Sequence, residues 1–357
     1  MSITVATRAA SVLPDQRRST RPVAAWLFAV CAMLAVMVAL GGATRLTGSG
    51  LSIMEWAPLS GVLPPLSHAE WERLYKLYQE IPQYQLVNRG FGLAGFQHIF
   101  WLEWVHRLWG RLMGVVFFVP LVVFAVRGQV PRRLIPRLAG LFVLGGLQGA
   151  VGWIMVASGF AAHSTAVSAY RLVVHLALAL LLYGAILWTA LGLWGAAPAP
   201  RLAQAPRRLL GAVCVLVPLT ILAGGFVAGT HAGFTYNTFP LMDGHLVPAS
   251  YGALSPWLRN PFENLAAVQF DHRLLATLTA LATVGAVIAG LRTGAQGAAR
   301  GALLALGGAV AVQYALGIAT LLYVVPVALG AVHQLVAVGV LTAALVALHT
   351  QRAVRRS

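Results

Sequence analysis

The fold is decided by an uncharged run near the start of the chain, VAAWLFAVCAMLAVMVAL at residues 23–40. A helix needs roughly 20 apolar residues to cross the hydrocarbon core of a bilayer. The run is too long for the core of a signal peptide and no convincing cleavage site follows it, so it predicts a retained transmembrane helix. Working outward along the chain, the predicted spans are residues 23–43, 103–126, 138–157, 170–194, 209–229, 270–291, 301–323 and 326–349.

The composition supports a membrane protein. Of 357 residues, 59% are apolar and only 10% are charged, whereas a soluble domain carries about 25% charged residues. The formal net charge of +16 raises the question of a nucleic-acid partner. The basic residues do not form one patch and no nucleic-acid-binding motif accompanies them. We therefore predict the lipid bilayer as the surrounding medium and no nucleic acid as a partner.

The charges also predict the orientation. Sixteen of the 25 basic residues fall on the side of the tails and short connections, and eight of the nine acidic residues fall on the other side. The positive-inside rule makes the basic side cytoplasmic, with both termini there. The opposite side carries two long loops, residues 44–102 and 230–269, and is called the loop side below.

The sequence repeats itself in order. Gly41–Gly42 resembles Gly224–Gly225 at a separation of 183 residues, and similar matches join His106–Arg107 to His272–Arg273, Gln148 to Gln313, and His175 to His333. Four spans per half predict a parallel repeat about an axis along the membrane normal. The predicted fold is an all-α membrane protein of eight transmembrane helices in two pseudo-symmetric four-helix bundles. Its predicted parts are a cytoplasmic tail (1–22), the N-terminal bundle (23–194), a cytoplasmic linker (195–208), the C-terminal bundle (209–349) and a second cytoplasmic tail (350–357).

Four histidines carry the chemistry. His106, His175, His272 and His333 are predicted within about two turns of the loop-side ends of even-numbered spans. Two imidazoles at one level of a four-helix bundle can supply both axial nitrogens to a heme iron, and ionisable residues inside spans tend to mark function. Hydrogen-bonded packing histidines are one alternative, and a zinc or copper site is another. A structural zinc, however, clusters four ligands, whereas these histidines form two separate pairs.

Arginines stand near three of the four candidate ligands, His106, His175 and His272, and the set is Arg107, Arg111, Arg171 and Arg273. A guanidinium pairs well with a carboxylate, so these side chains are predicted to contact heme propionates. The alternative is that they snorkel toward water at the membrane edge.

The two halves differ at the position three residues before the first histidine of each pair. Glu103 lies three residues before His106 and therefore on the same helical face, whereas the position aligned with it in the second half is Gln269. A carboxylate beside a porphyrin can move protons or stabilise positive charge. This difference predicts reaction in the N-terminal half and electron supply from the C-terminal half. The alternative is that Glu103 simply pairs with Arg107.

The first long loop contains a predicted amphipathic helix. Ser67 and Glu70 have the spacing of a capping box, and Trp71, Leu74 and Tyr78 then fall on one helical face. Such a helix is predicted to lie at the membrane interface and cover what is beneath it. An ordinary loop helix is the alternative.

Four motifs together resemble the heme A synthase family: GGATRLTGSGLS at residues 41–52, NRG at 88–90, FWLEWVHRLWGR at 100–111 and YNTFPLMDG at 236–244. The resemblance extends from about residue 23 to residue 349 and implies oxidation of a methyl group of heme O to the formyl group of heme A, for cytochrome oxidase. It implies that His272 and His333 hold a heme b cofactor. It also implies that His106 and His175 form the substrate site, with Glu103 as the essential glutamate.

The same resemblance implies location and partners. A bacterial inner membrane is expected, with the heme sites near its periplasmic side, and heme O synthase and an electron donor are the expected partners. The sequence leaves the oligomeric state open, a homo-oligomer included. Some bacterial members of the family carry a cysteine pair in the first long loop, which this loop lacks. Cys31 and Cys214 fall within spans and are interpreted as small apolar residues.

Two other functions compete with this interpretation. A di-heme b-type transmembrane electron-transfer cytochrome needs the four histidines but gives no reason for the difference between Glu103 and Gln269. A transporter accounts for parallel repeats but predicts broken helices and a site at the middle of the membrane.

Overall fold

A computed structural model describes residues 15–162, 164–195 and 201–351. Over these ranges the regular structure is helical, with a single isolated β-bridge between Met242 and His245. The predicted tails and the predicted linker fall partly outside the described residues, as do the basic residues predicted beyond residue 351.

Eight helices of the described part are long and apolar enough to cross a membrane, which confirms the predicted number. They are α1 (Asp15–Leu46), α4 (Leu93–Val126), α5 (Ile135–Ala157), α6 (Ala169–Trp194), α7 (Gln204–Thr230), α9 (Leu265–Arg292), α10 (Gly297–Leu322) and α11 (Val327–Thr350). Three short helices lie in the two long loops: α2 (His68–Gln79), α3 (Pro82–Leu86) and α8 (Asn260–Glu263).

The predicted start of α4 was wrong. The helix begins at Leu93, ten residues before the predicted boundary at residue 103. His106 therefore lies 13 residues from the start of its helix, about 20 Å at 1.5 Å per residue, and not within two turns. His175, His272 and His333 do lie six or seven residues from the starts of α6, α9 and α11.

The reason for this extension is the first long loop. Helix α2 is capped by Ser67, whose side chain accepts a hydrogen bond from the Glu70 amide, as the sequence predicted. Its buried Tyr78 lies against Phe96 in the added turns of α4, with ring centroids 5.4 Å apart. Burial of aromatic surface between α2 and α4 stabilises the helical turns beyond the hydrophobic span.

The same pairs of helices are in contact in both halves. In the first half, α1 contacts α4 and α6, and α5 also contacts α4 and α6. In the second half, α7 contacts α9 and α11, and α10 also contacts α9 and α11. Each half is thus a closed ring of four helices. Superposition of the halves on a two-fold axis stays a prediction.

Between the halves, α1 contacts α11 and α6 contacts α7. Glycines allow this approach: a Cβ atom at Gly330 of α11 would lie 2.6 Å from Leu46 of α1, and one at Gly229 of α7 would lie 3.4 Å from Leu172 of α6. Small residues let membrane helices approach closely. The main apolar core extends through both halves and includes Cys31, while Cys214 packs at its edge. Both cysteines are free thiols.

Candidate active site

Each candidate histidine packs against a glycine on the neighbouring helix of its own half. A Cβ atom added at the glycine would lie 3.2 Å from His106 for Gly41, 2.8 Å from His175 for Gly152, 3.0 Å from His272 for Gly224, and 3.1 Å from His333 for Gly317. At the last three glycines the nearest ring atom is Cε1, so both imidazole nitrogens remain at the sides. At Gly41 the nearest atom is Nε2, so His106 is turned toward α1.

Hydrogen bonds orient the rings further. His272 Nδ1 lies 3.1 Å from the Thr220 carbonyl oxygen. This contact favours the tautomer protonated at Nδ1 and leaves Nε2 free to bind a metal. His175 and His333 each have Nε2 3.4 Å from a glutamine Nε2, from Gln148 and Gln313 respectively. The Nδ1 atoms of both of these histidines are buried without a hydrogen-bond partner.

His106 lies within electrostatic range of His175, and His333 within range of His272; their pairing on one iron stays a prediction. All four residues are partly buried. Among the described residues, no group of three or more His, Cys, Asp and Glu side chains could hold a metal ion. Pairs of imidazoles with unpartnered nitrogens, in niches lined by glycine, fit a porphyrin iron better than a clustered zinc site.

Glu103 is buried, with 2% of its surface exposed, and it accepts five hydrogen bonds. Its Oε2 accepts from the Ser52 amide at 2.7 Å, the Ser52 hydroxyl at 2.7 Å and the Ile53 amide at 3.0 Å. Its Oε1 accepts from Arg107 Nε at 3.1 Å and Nη2 at 2.6 Å. The pairing with Arg107, the alternative from the sequence, is therefore present. The carboxylate also fixes the start of the first long loop to α4.

Gln269 occupies the equivalent place but bonds in the opposite direction. Its Nε2 donates to the carbonyl oxygens of Ala232 at 3.0 Å and Thr235 at 2.5 Å. Its Oε1 accepts from Arg273 Nη2 at 3.0 Å. The first loop thus offers amide hydrogens to a carboxylate, whereas the second offers carbonyl oxygens to an amide.

The four candidate arginines all donate to backbone carbonyls. Arg107 reaches Ile53 and Glu55, Arg273 reaches the equivalent Tyr236 and Thr238, Arg111 reaches Ala57 and Pro58, and Arg171 reaches Ile154. Arg111 Nη1 and Arg273 Nε are nevertheless buried without a partner. Those two guanidinium groups keep a donor for a ligand such as a propionate.

Sequence reasoning missed several residues of this site. Gly152 and Gly317 each lie four residues after the repeated glutamines Gln148 and Gln313, so the repeat itself carried a signal for them. The sequence repeat gave no signal for the donors to Glu103 Oε2, because two of these three hydrogen bonds come from backbone amides.

These features define a multi-pass helical membrane protein with one imidazole pair in each half, one of the pairs accompanied by a buried carboxylate. Residues 24–345 match the family described as cytochrome oxidase assembly protein, and the chain belongs to that family.

Three similar proteins carry informative names. A heme A synthase of Granulibacter bethesdensis is 62% identical over 348 residues, covering 97% of this chain and 91% of that protein. Heme A synthase 2 of Acidiphilium cryptum is 49% identical over 348 residues, with 96% and 94% covered. A heme A synthase of Rhodospirillum centenum is 51% identical over 322 residues, with 89% and 86% covered.

Proposed function

We propose that this chain converts heme O to heme A, by oxidising a methyl group of the porphyrin to a formyl group during cytochrome oxidase assembly. The observation that carries the proposal is the presence of an imidazole pair in each half with a buried carboxylate, Glu103, in only one. Similarity to heme A synthases over nearly the whole chain supports the same reaction.

The roles of the two pairs follow from this difference. His272 and His333 would hold heme b, with Thr220 fixing the tautomer of His272. When bound, heme b supplies one-electron redox chemistry to the enzyme. His106 and His175 would hold the substrate heme O. For iron to bind His106 through Nε2, the imidazole has to turn away from Gly41.

Glu103 acts in this proposal as a fixed negative charge. It stands one turn from His106 on the same face of α4, and both of its oxygens are already occupied by donors. A preorganised charge of this kind stabilises positive charge that develops on a reacting carbon. Accepting a proton would require Glu103 to release one of its five hydrogen bonds.

Arginines complete the porphyrin contacts. The free donors of Arg111 and Arg273 are the best placed for propionates, one in each half. Arg107 and Arg171 stay in the candidate set, with Arg107 also holding Glu103. The free donors of Arg111 and Arg273 could each pair with a propionate oxygen and would so help to hold the porphyrin in its site.

Similarity to bacterial heme A synthases supports a place in the bacterial inner membrane. The charge distribution supports cytoplasmic termini, with the loop side facing the periplasm. Because heme O is apolar, direct transfer from heme O synthase is the expected route of supply, and an electron donor is also required.

Co-expression with heme O synthase, followed by chromatography of the extracted hemes, tests the proposal. The expected result is heme A together with heme b. Recovery of b-type heme alone would instead favour the electron-transfer cytochrome. The transporter alternative predicts broken helices, whereas each of the eight spans is a continuous helix where the structure describes it.

A further inference from the structure

One segment of the first long loop descends along α4 into the span. Arg107 binds the carbonyls of Ile53 and Glu55. One turn deeper, Arg111 binds the carbonyls of Ala57 at 2.7 Å and Pro58 at 3.0 Å. Arg111 is five residues beyond His106, about 7.5 Å further from the loop side at 1.5 Å per residue. The loop therefore passes below the level of this candidate ligand.

This segment, residues 56–63, is called the plug. Its apolar side chains point outward: Leu59 is 87% exposed, Leu63 68% and Val62 44%. At membrane depth such side chains contact lipid acyl chains, and the polar groups of the backbone need partners within the protein because the hydrocarbon supplies no water. Arg111 satisfies two carbonyls, and the Gly61 amide donates back to the Ala57 carbonyl at 3.1 Å. Gly61 also permits this approach, since a Cβ atom there would lie 2.6 Å from Arg111 Nη2.

The plug connects α4 to α5. Trp56 stacks on Trp153 of α5, with ring centroids 6.2 Å apart and planes at 13°. In an apolar stretch of 18 residues, only 6% of α5 is buried inside the protein, against 17% of α10. Loop residues thus contribute to the contact between α4 and α5. Gly152, adjacent to Trp153, is the residue that packs against His175.

The second half is closed differently. Thr277 of α9 stands where α4 has Arg111, and its hydroxyl lies 2.9 Å from the Tyr314 hydroxyl of α10. There a direct hydrogen bond between helices replaces the arginine contact, and the second loop reaches α10 through Phe239, whose ring centroid lies 6.4 Å from that of Tyr314.

We propose that the plug closes a lateral opening between α4 and α5, and that heme O, a porphyrin with a long isoprenoid chain, enters its site from the lipid through this opening. The inference rests on the proposed function, because it concerns delivery of that substrate. It explains why the half that must exchange a porphyrin holds its loop through Arg111, whereas the half with a resident heme b has a hydrogen bond between its helices at the equivalent position.

The depth of the plug can be measured in the full chain. A nitroxide at Leu59→Cys, in protein reconstituted into phosphatidylcholine vesicles, is relaxed either by oxygen dissolved in lipid or by a water-soluble nickel chelate. We expect relaxation mainly by oxygen at this site and mainly by nickel at Glu72→Cys, a control on exposed α2. Equal access of nickel to both labels would overturn the proposal. Unsubstituted protein measures any background from Cys31 and Cys214.

Gating is tested with the double variant Trp56→Cys/Trp153→Cys. A reducible bis-thiosulfonate linker joins the two cysteines, and vesicles containing heme O and the reductant supply are then added. We expect heme A formation to fall to less than about a tenth and to return on cleavage with dithiothreitol, while heme b content stays constant. The matched variant Thr277→Cys/Tyr314→Cys, linked in the same way, should lose little. Equal rates of heme A formation in the linked and the cleaved forms of the first variant would overturn the proposal that the plug is a gate. Absence of heme A from unsubstituted protein would instead contradict the proposed function.

Discussion

The two halves share one arrangement beside the first histidine of each pair. Arg107 contacts Glu103 in the first half, and Arg273 contacts Gln269 in the second. The direction of the hydrogen bonds from Glu103 and Gln269 to their loops is reversed. Both arginines hold the same two carbonyl positions of their loops, at 2.6 Å and 2.9 Å in each half. The neighbouring side chain then faces amide hydrogens of Ser52 and Ile53 in one half, but carbonyls of Ala232 and Thr235 in the other.

This comparison changes how the acidic residue is understood. From sequence, a carboxylate in one half indicates chemistry in that half. In the structure, the carboxylate is also the acceptor that this loop requires, so Glu103 has a structural role whatever its part in the reaction. A test of the reaction therefore has to separate loss of the loop contacts from loss of the charge.

Glu103→Gln should give the largest effect. An amide cannot accept all five hydrogen bonds and leaves Arg107 without its counter-charge, and breaking a buried pair costs about 3–5 kcal/mol. We expect heme A formation to be lost, with heme b content unchanged because His272 and His333 lie in the other half. Chromatography of extracted hemes measures both quantities, and proteolysis of the first long loop reports its attachment. Normal heme A production would show that Glu103 is not required for the reaction.

Ser52→Ala sharpens this result. It removes one donor to Glu103 and keeps the charge, at a cost of about 0.5–1.5 kcal/mol. If the loop contacts matter, heme A formation should fall partly, and Ser52→Thr, which keeps the hydroxyl, should restore it. Equal loss in both variants would contradict a role for this hydroxyl.

Gln269→Glu tests the other side of the comparison. A carboxylate there would direct an oxygen at the Ala232 and Thr235 carbonyls, and an unsatisfied buried polar group costs about 1–3 kcal/mol. We expect a lower yield of heme b per protein, measured from the reduced heme spectrum of purified samples. An unchanged heme b content would mean that the second loop does not depend on the polarity of this residue.

Alanine at the glycine niches should have a smaller effect that differs between the halves. The added Cβ atom would lie 2.8 Å from His175 at Gly152 and 3.1 Å from His333 at Gly317, and overpacking of this kind costs about 1–3 kcal/mol. Gly152→Ala should lower heme A formation more than Gly317→Ala lowers heme b content. A larger loss of heme b in Gly317→Ala than of heme A formation in Gly152→Ala would contradict the assignment of these glycines to the two heme sites.

The smallest effect is expected at the surface of the first long loop. Arg73 binds Glu55 and Glu70, each at 2.8 Å, and its hydrogen bonds lower the pKa of both carboxyl groups. Because the pKa is lower in the folded state, the stabilisation is present above the ordinary carboxyl pKa of about 4 and disappears as pH falls through the lowered value. Exposed pairs are worth about 0.2–1 kcal/mol. Arg73→Ala should thus lower the thermal midpoint slightly at pH 7 and not at pH 2, and an equal drop at both would exclude the ion pairs.

Sequence and structure agree most closely where hydrophobicity decides. Eight spans could be predicted because uncharged runs have few alternatives to a membrane. The start of α4 at Leu93 could not be predicted, since it depends on aromatic packing against α2. The repeat of His106, His175, His272 and His333 predicted histidines at equivalent places in the two halves, and each packs against a glycine of a neighbouring helix. The five donors to Glu103, and the descent of residues 56–63 along α4, depend on backbone contacts that no side-chain pattern specifies.

The most direct test compares heme b content in purified His106→Ala and His333→Ala, prepared under identical conditions. Division of the protein into a substrate half and a cofactor half predicts near-normal heme b in the first variant and severe depletion in the second. Equal depletion in the two, or retention of a full bis-histidine spectrum by His333→Ala, would contradict that division.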